Sequence, residues 1–234
     1  MAASRTRRPR WTRWALGGVI VLAVASRLGV TAHLWDPDRT AMEYGNIAGH
    51  LVEGRGFAIS LNHWGWYDPP VMTTRWMMPF YPVLLAGSKL LTPERPRWYL
   101  EVYILQSLLA GAIAWLLYRL GSRLYGAGAG LAAAALFCVV PNLAYYAARP
   151  HPLTWELTAL LLALVACRAY LAGGKRRYLV GCALAALWAI YIRSAGVLLV
   201  PLMVALLVVV GRDWRRALRA SALLVGIVAL GVAP

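Results

Sequence analysis

The chain has 234 residues, of which 61% are hydrophobic and only 14% charged, with a net charge of +15. Soluble domains run near ~45–50% apolar and about 25% charged, so this apolar surplus excludes a single water-facing domain and makes lipid its natural solvent. The basic residues sit in short clusters between apolar runs, and no zinc-finger or RNA-binding motif is present; the charge is a topology signal and excludes nucleic acid as the partner.

In chain order, Arg5, Arg7, Arg8, Arg10 and Arg13 make residues 1–13 a basic tail, read as cytoplasmic. The apolar run 14–34 follows. Ala23-Val24-Ala25 resembles a signal-peptide cleavage site, but the run is long enough to span, so it is read as an uncleaved first helix. Arg27, inside it, is expected to snorkel to the surface. Next, Thr40 and Glu43 form a capping box, and Tyr44, Ile47, Ala48 and Leu51 recur at helical spacing. They predict an amphipathic helix on the membrane surface, with Glu43, Asn46 and His50 on its polar side. It ends at Gly54-Arg55-Gly56, where glycine suits a left-handed cap. His63, Trp64, Trp66, Tyr67 and Asp68 form an aromatic cluster that either packs on the membrane or stacks on a sugar. The apolar segment 79–91 is too short to cross and is interrupted by Pro79 and Pro82, so it dips into the outer leaflet.

Further runs of spanning character lie at 98–118, 126–148, 153–172, 178–192, 195–211 and 216–234, for about seven transmembrane helices in all. Arg119 with Arg123, Lys175-Arg176-Arg177, and Arg212 with Arg215, Arg216 and Arg219 mark the cytoplasmic side. Parity then requires the chain to turn back at Ser194-Ala195-Gly196 and leaves 35–97 as one long external loop. Asp36, Asp38, Glu43, Glu53, Asp68, Glu94, Glu101 and Glu156, eight of the nine acidic residues, fall in or beside external segments; so do all 4 histidines. Trp11, Trp14, Trp35, Trp98, Trp155 and Trp214 flank the spans as interfacial anchors. Gly126, Gly128 and Gly130 are read as close helix packing. Cys138, Cys167 and Cys182 lie in apolar runs without CxxC spacing, as small buried hydrophobes rather than metal ligands. The fold class is therefore all-α: a polytopic membrane protein with a long first external loop carrying amphipathic juxtamembrane helices.

Two stretches, EYGNIAGHLVEGRGF and TRWMMPFYPVLLAGSKLL, resemble the first external loop of GT-C superfamily glycosyltransferases. The similarity is greatest to bacterial proteins of the protein-mannosyltransferase and aminoarabinose-transferase group, the glycosyltransferase family 39 type. RLGSRLYG, PLTWELTALLLAL and WAIYIRSAGVLLVPL resemble later parts of the same proteins in the same order. The resemblance implies that residues 14–234 are a single transmembrane domain, the N-terminal part of a longer GT-C module. It also implies a bacterial plasma-membrane enzyme that moves a sugar from a polyprenyl-phosphate donor to a lipid, glycan or protein acceptor on the periplasmic or extracellular side, with inversion. The alternative is a non-catalytic multispan protein: a transporter, a scaffold or an inactive fragment. The spans are almost free of charge, unlike transporters with mid-membrane charged sites.

Such transfer needs a carboxylate to take the acceptor proton and cations to hold the departing phosphate. Where the aminoarabinose-type pattern has Asp-Glu, this chain has Thr40 and Ala41; Glu43, one turn later, is the expected base, in competition with its capping role. Asp38 and Asp36 are its fallbacks. Arg75, Arg149 and Arg193 are the expected phosphate ligands, Arg193 with headgroup snorkelling as the ordinary alternative. Glu156, His151, Tyr67 and Asp68 are candidate acceptor or sugar contacts, with Glu156 also suited to a helix first turn. No cofactor and no metal ligand set is expected; metal dependence and oligomeric state stay open. The partners are membrane lipids and the lipid-linked sugar donor.

Overall fold

The computed structural model describes residues 10–34, 42–60, 71–74, 77–93, 99–211 and 213–233. Among the described residues, each apolar run named above is mainly helical. Helix α1 (Arg10–His33) is followed by α2 (Met42–Val52), then by a small hairpin, β1 (Ala58–Ser60) and β2 (Val71–Thr73), antiparallel with Ile59 opposite Met72. Helices α3 (Phe80–Leu91), α4 (Leu100–Leu124), α5 (Ala127–Val139), α6 (Pro141–Ala147), α7 (Leu153–Gly173) and α8 (Arg176–Ile192) come next. A 3-10 turn (Ser194–Leu198) leads into α9 (Leu199–Val210) and α10 (Trp214–Val232). By length and composition α1, α4 and α7 can cross a membrane, and the pair α5–α6, bent by 63°, can do so as one broken span. Helix α3 and the 3-10 turn with α9 are apolar but shorter.

Local chemistry explains the boundaries. Helix α2 closes as the glycine signal predicted: Gly54 has φ +74, its N–H reaches the Leu51 carbonyl, and the Arg55 N–H reaches the His50 carbonyl. Gly174 (φ +64) caps α7, and the Lys175 step turns the chain into α8. The predicted reversal at Ser194-Ala195-Gly196 is the 3-10 turn. A Cβ on Gly196 would fall 2.4 Å from the Ala189 carbonyl carbon, so only glycine lets the chain fold this tightly on α8. Asp213 caps α10, accepting from the Arg215 N–H at 2.9 Å and the Arg216 N–H at 3.3 Å.

Helices pack through small residues, as membrane helices do. Ala159, Ala163 and Cys167 on α7 share one buried cluster with Cys182, Ala183 and Ala186 on α8. Of the three glycines read as packing residues, only Gly130 serves that purpose: a Cβ there would meet the Tyr118 carbonyl at 2.6 Å, so α5 and α4 touch backbone to backbone. Gly128 faces open space, and Gly126 is needed instead for its φ of +97 at the start of α5. Gly130→Val should lower thermal stability in detergent by roughly 1–3 kcal/mol, the usual cost of overpacking a close contact.

Two expectations change. The apolar side of α2 does not lie against lipid. Ile47 and Ala48 are fully buried, and α2 packs on α3, while Asn46 and His50 turn to Ser60 on β1. Arg27 does not snorkel. It is fully buried, donating from Nη2 to the Phe137 carbonyl at 2.7 Å and from Nη1 to the Cys138 carbonyl at 3.2 Å, with its guanidinium 4.4 Å from the Phe137 ring centroid. The reason is Pro141, which stands at the start of α6 and has no N–H for the Phe137 carbonyl one turn earlier. Arg27 supplies the missing donors at the break. Arg27→Met should leave both carbonyls unpaired and cost roughly 1–3 kcal/mol in thermal unfolding.

Candidate active site

The site end of the bundle is organised by Gln106, fully buried on the second turn of α4. Its Oε1 accepts from the Tyr81 hydroxyl at 2.9 Å and from the Trp155 indole Nε1 at 3.3 Å. Its Nε2 donates to the Ala147 and Arg149 carbonyls, each at 2.9 Å. A primary amide offers two acceptor positions and two N–H groups, so all four are used. One side chain thereby fixes α3, α4, the α6–α7 turn and the first turn of α7.

Aromatic rings extend this frame. Tyr44 of α2 meets Tyr81 edge to face at 5.2 Å. Phe80, Trp155 and Trp188 pack edge to face, with Phe80 5.3 Å from Trp155 and 5.7 Å from Trp188. Trp155 is thus a buried element of the site and not the interfacial anchor its position suggested. Trp11, Trp14 and Trp214 are exposed at the helix ends, as anchors are. Trp35 and Trp98 lie outside the described residues.

The charged groups stand on this frame. Glu156, in the first turn of α7, pairs with Arg193, the residue that ends α8, at 3.4 Å. The Arg193 side chain is 53% exposed and that of Glu156 24%. An ion pair this open adds about 0–1 kcal/mol at most, so its consequence is positional: it holds a cation beside an acid. Tyr44 joins them to Glu43. Burial pushes its hydroxyl up, Arg193 draws it down, and Glu43 and Glu156 push it up again. Glu43 is half-buried, and among the described residues its carboxylate has no ion-pair or side-chain hydrogen-bond partner. The capping-box partner Thr40 lies outside the described residues.

His151 sits in the turn before α7, its ring 4.6 Å from that of Tyr146. Its Nδ1 accepts from the Leu153 N–H at 3.2 Å, which requires that nitrogen to be unprotonated. Burial, then the nearby Arg193, hold the imidazole below its ordinary value of 6.5. The unfolded chain therefore takes up a proton near that value that the folded chain refuses. This contribution to stability is present above about pH 6.5 and is lost as the pH falls from there through the lower folded value. Thermal unfolding should show stability dropping between about pH 7 and pH 5, with a shallower drop in His151→Gln.

Glu43, Glu156, His151 and Arg193 are accordingly gathered at one end. Arg149 has other partners: its guanidinium lies 4.0 Å from the Tyr145 ring centroid, and its buried Nε is unpaired. Asp36, Asp38, Tyr67, Asp68 and Arg75 lie outside the described residues. Tyr44, Tyr81, Gln106 and Trp188 were missed. For Gln106 a signal existed, since a lone amide inside an apolar span demands partners; Tyr44 was hidden by its place on an apolar helix face.

The family model for dolichyl-phosphate-mannose-protein mannosyltransferase matches residues 78–234, more than half of the chain. The chain belongs to this family. It is an integral membrane glycosyltransferase of the GT-C type, in a family whose donor is a lipid-linked sugar. No curated protein matches the sequence. Within the mannosyltransferase match lie Gln106, Arg149, His151, Glu156 and Arg193; Glu43 and Tyr44 precede it.

Proposed function

We propose that the cluster of Glu43, Tyr44, His151, Glu156 and Arg193 transfers a sugar from a polyprenyl-phosphate donor to a hydroxyl acceptor, with inversion at the sugar carbon. The observation that carries this is the nearness of two carboxylates and a cation to Tyr44, with Glu156 and Arg193 paired where α7 begins and α8 ends. Arg193 holds the donor phosphate and stabilises the charge it gains as the glycosidic bond breaks. Its open position beside Glu156 leaves it able to exchange that carboxylate for phosphate. Glu43 takes the acceptor proton, since among the described residues its carboxylate is not held in an ion pair. Arg149 and Arg75 are further phosphate ligands, and Asp36 and Asp38 the reserve bases. Tyr67 and Asp68 contact sugar or acceptor.

The location supports an external working face. The arginine clusters gather at the opposite helix ends, which the positive-inside rule assigns to the cytoplasm, with residues 1–13 as the cytoplasmic tail. Residues 14–234 then form a single transmembrane domain in a bacterial plasma membrane.

One observation favours a second assignment of the base. Glu156 lies inside the family match and Glu43 outside it. The two are separated by Glu43→Gln and Glu156→Gln in the full-length protein, assayed in membranes with a polyprenyl-phosphate sugar. Loss of the base should reduce turnover by about 10²–10⁴-fold. Unchanged transfer in Glu43→Gln with a collapse in Glu156→Gln would move the role to Glu156. Arg193→Gln should reduce turnover by about 10²-fold or more, as loss of a charge-stabilising donor does. Full activity in all three would sink the site.

A further inference from the structure

The opposite end of the bundle holds a second chemical environment that glycosyl transfer does not use. Between the C-terminal ends of α4 and α7 and the turn from α9 to α10 lies a cavity of about 920 Å³. Its walls are apolar: Leu120 and Leu124 from α4, Leu164 from α7, Leu206 and Leu207 from α9. Arg168 and Arg216 line it as well. Asp213 also lines the cavity; its Oδ1 accepts the N–H groups of Arg215 and Arg216 at the start of α10, so one acid stands among these cations. Arg216 is placed by packing, its guanidinium 5.8 Å from the Tyr170 ring centroid and pressed against Gly174, where any Cβ would collide with it. A smaller cavity of about 370 Å³ shares Arg168 and Ala172 with the first and adds Arg123 and Lys175.

Leucine walls with a cationic rim match one class of molecule, an amphiphile with an anionic head. Basic pockets between transmembrane helices are built to take lipid phosphates. The geometry points to a binding site for an anionic glycerophospholipid of the surrounding bilayer, its phosphate between Arg168 and Arg216 and its acyl chains along the leucines. The site is separate from the sugar-transfer cluster: Arg168 stands in the last two turns of α7, and Glu156 in the first. An anion there also offsets the repulsion among the clustered cations. Each guanidinium offers a pair of parallel N–H groups to phosphate oxygens, which an ammonium cannot.

The full chain in detergent, titrated with phosphatidylglycerol or phosphatidylcholine and read by native mass spectrometry, tests this. Phosphatidylglycerol should be retained preferentially. Arg168→Gln and Arg216→Gln should each weaken its retention by about fivefold, while Arg215→Gln, a neighbour outside the cavity, changes it by less than about twofold. Arg168→Lys, which keeps the charge but not the paired N–H groups, should recover part of the binding lost in the glutamine variant, and that recovery shows that the loss is not misfolding. Equal retention of both lipids overturns the proposal, as does an Arg215→Gln effect equal to the others, which would mean diffuse surface charge. Displacement of the lipid by inorganic phosphate at matched concentration also overturns it, because the leucine walls would then contribute nothing. So does a second copy of the chain covering the cavity with no lipid retained.

Discussion

The arrangement of the site end depends on one amide. Gln106 is buried among helices that bring little else polar with them, and each unmet hydrogen-bond position there would cost on the order of 1–3 kcal/mol. The cost is avoided only when Tyr81, Trp155, Ala147 and Arg149 stand where they do. Hydrophobic contact tolerates sliding; four directional bonds to one side chain do not. Trp155 precedes Glu156 in the chain, and Tyr81 carries Tyr44 on its ring. The amide therefore sets the two anchor points from which the charged groups project, without touching them. It is a positioning residue whose conformational influence extends from α4 to α2 and α7.

The carbonyls that Gln106 needs come from the bent pair α5–α6, which ties it to a second polar device. Broken helices are tolerated inside membranes only where something satisfies the freed backbone. Pro141 creates the break, Arg27 satisfies it, and the 63° bend carries α6 across so that its end presents the Ala147 and Arg149 carbonyls to α4. Two buried polar side chains on α1 and α4 thus act in series. The first allows the chain to bend, and the second uses the end of the bent piece. Close approach of α4 and α5 at Gly121 and Gly130 completes the corner.

Much of this was legible in the sequence, and what was not shares a physical cause. Apolar length and arginine clustering are local properties, so the helices, the short α3, the Gly54 cap and the reversal at Ser194-Ala195-Gly196 could be read directly. The meeting of Glu156 with Arg193 was half legible: if α7 and α8 form a hairpin, the start of one and the end of the other must share an end. The partners of Arg27 were not legible, because an acceptor 110 residues away leaves no periodic trace. Hydropathy counted Arg27 as a charge to be explained by the surface, whereas the proline that needed it lay in another helix. The hairpin of Ala58–Ser60 with Val71–Thr73 has only 3 residues per strand, too few for alternation to register. Tyr44 and Trp155 were assigned by residue type, to a greasy face and to an interface, when the Tyr44 ring packs on Tyr81 and the Trp155 indole N–H is bonded to Gln106.

Charge sign along α7 links the two ends of the molecule. Its first turn carries Glu156, where the helix dipole favours an acid, and Arg168 stands nearer its C-terminal end. Helix α8 runs the other way, yet it ends in Arg193 rather than in an acid, so the hairpin has a cation at both ends and an acid at one. At the mixed end an acid and a cation lie within 3.4 Å, and neither is fully buried. At the other end Asp213 lines the cavity with Arg168 and Arg216, its Oδ1 capping α10, so cations outnumber acids among the described lining residues. The same segregation that orients a membrane protein thus gives the two ends of the bundle different charge.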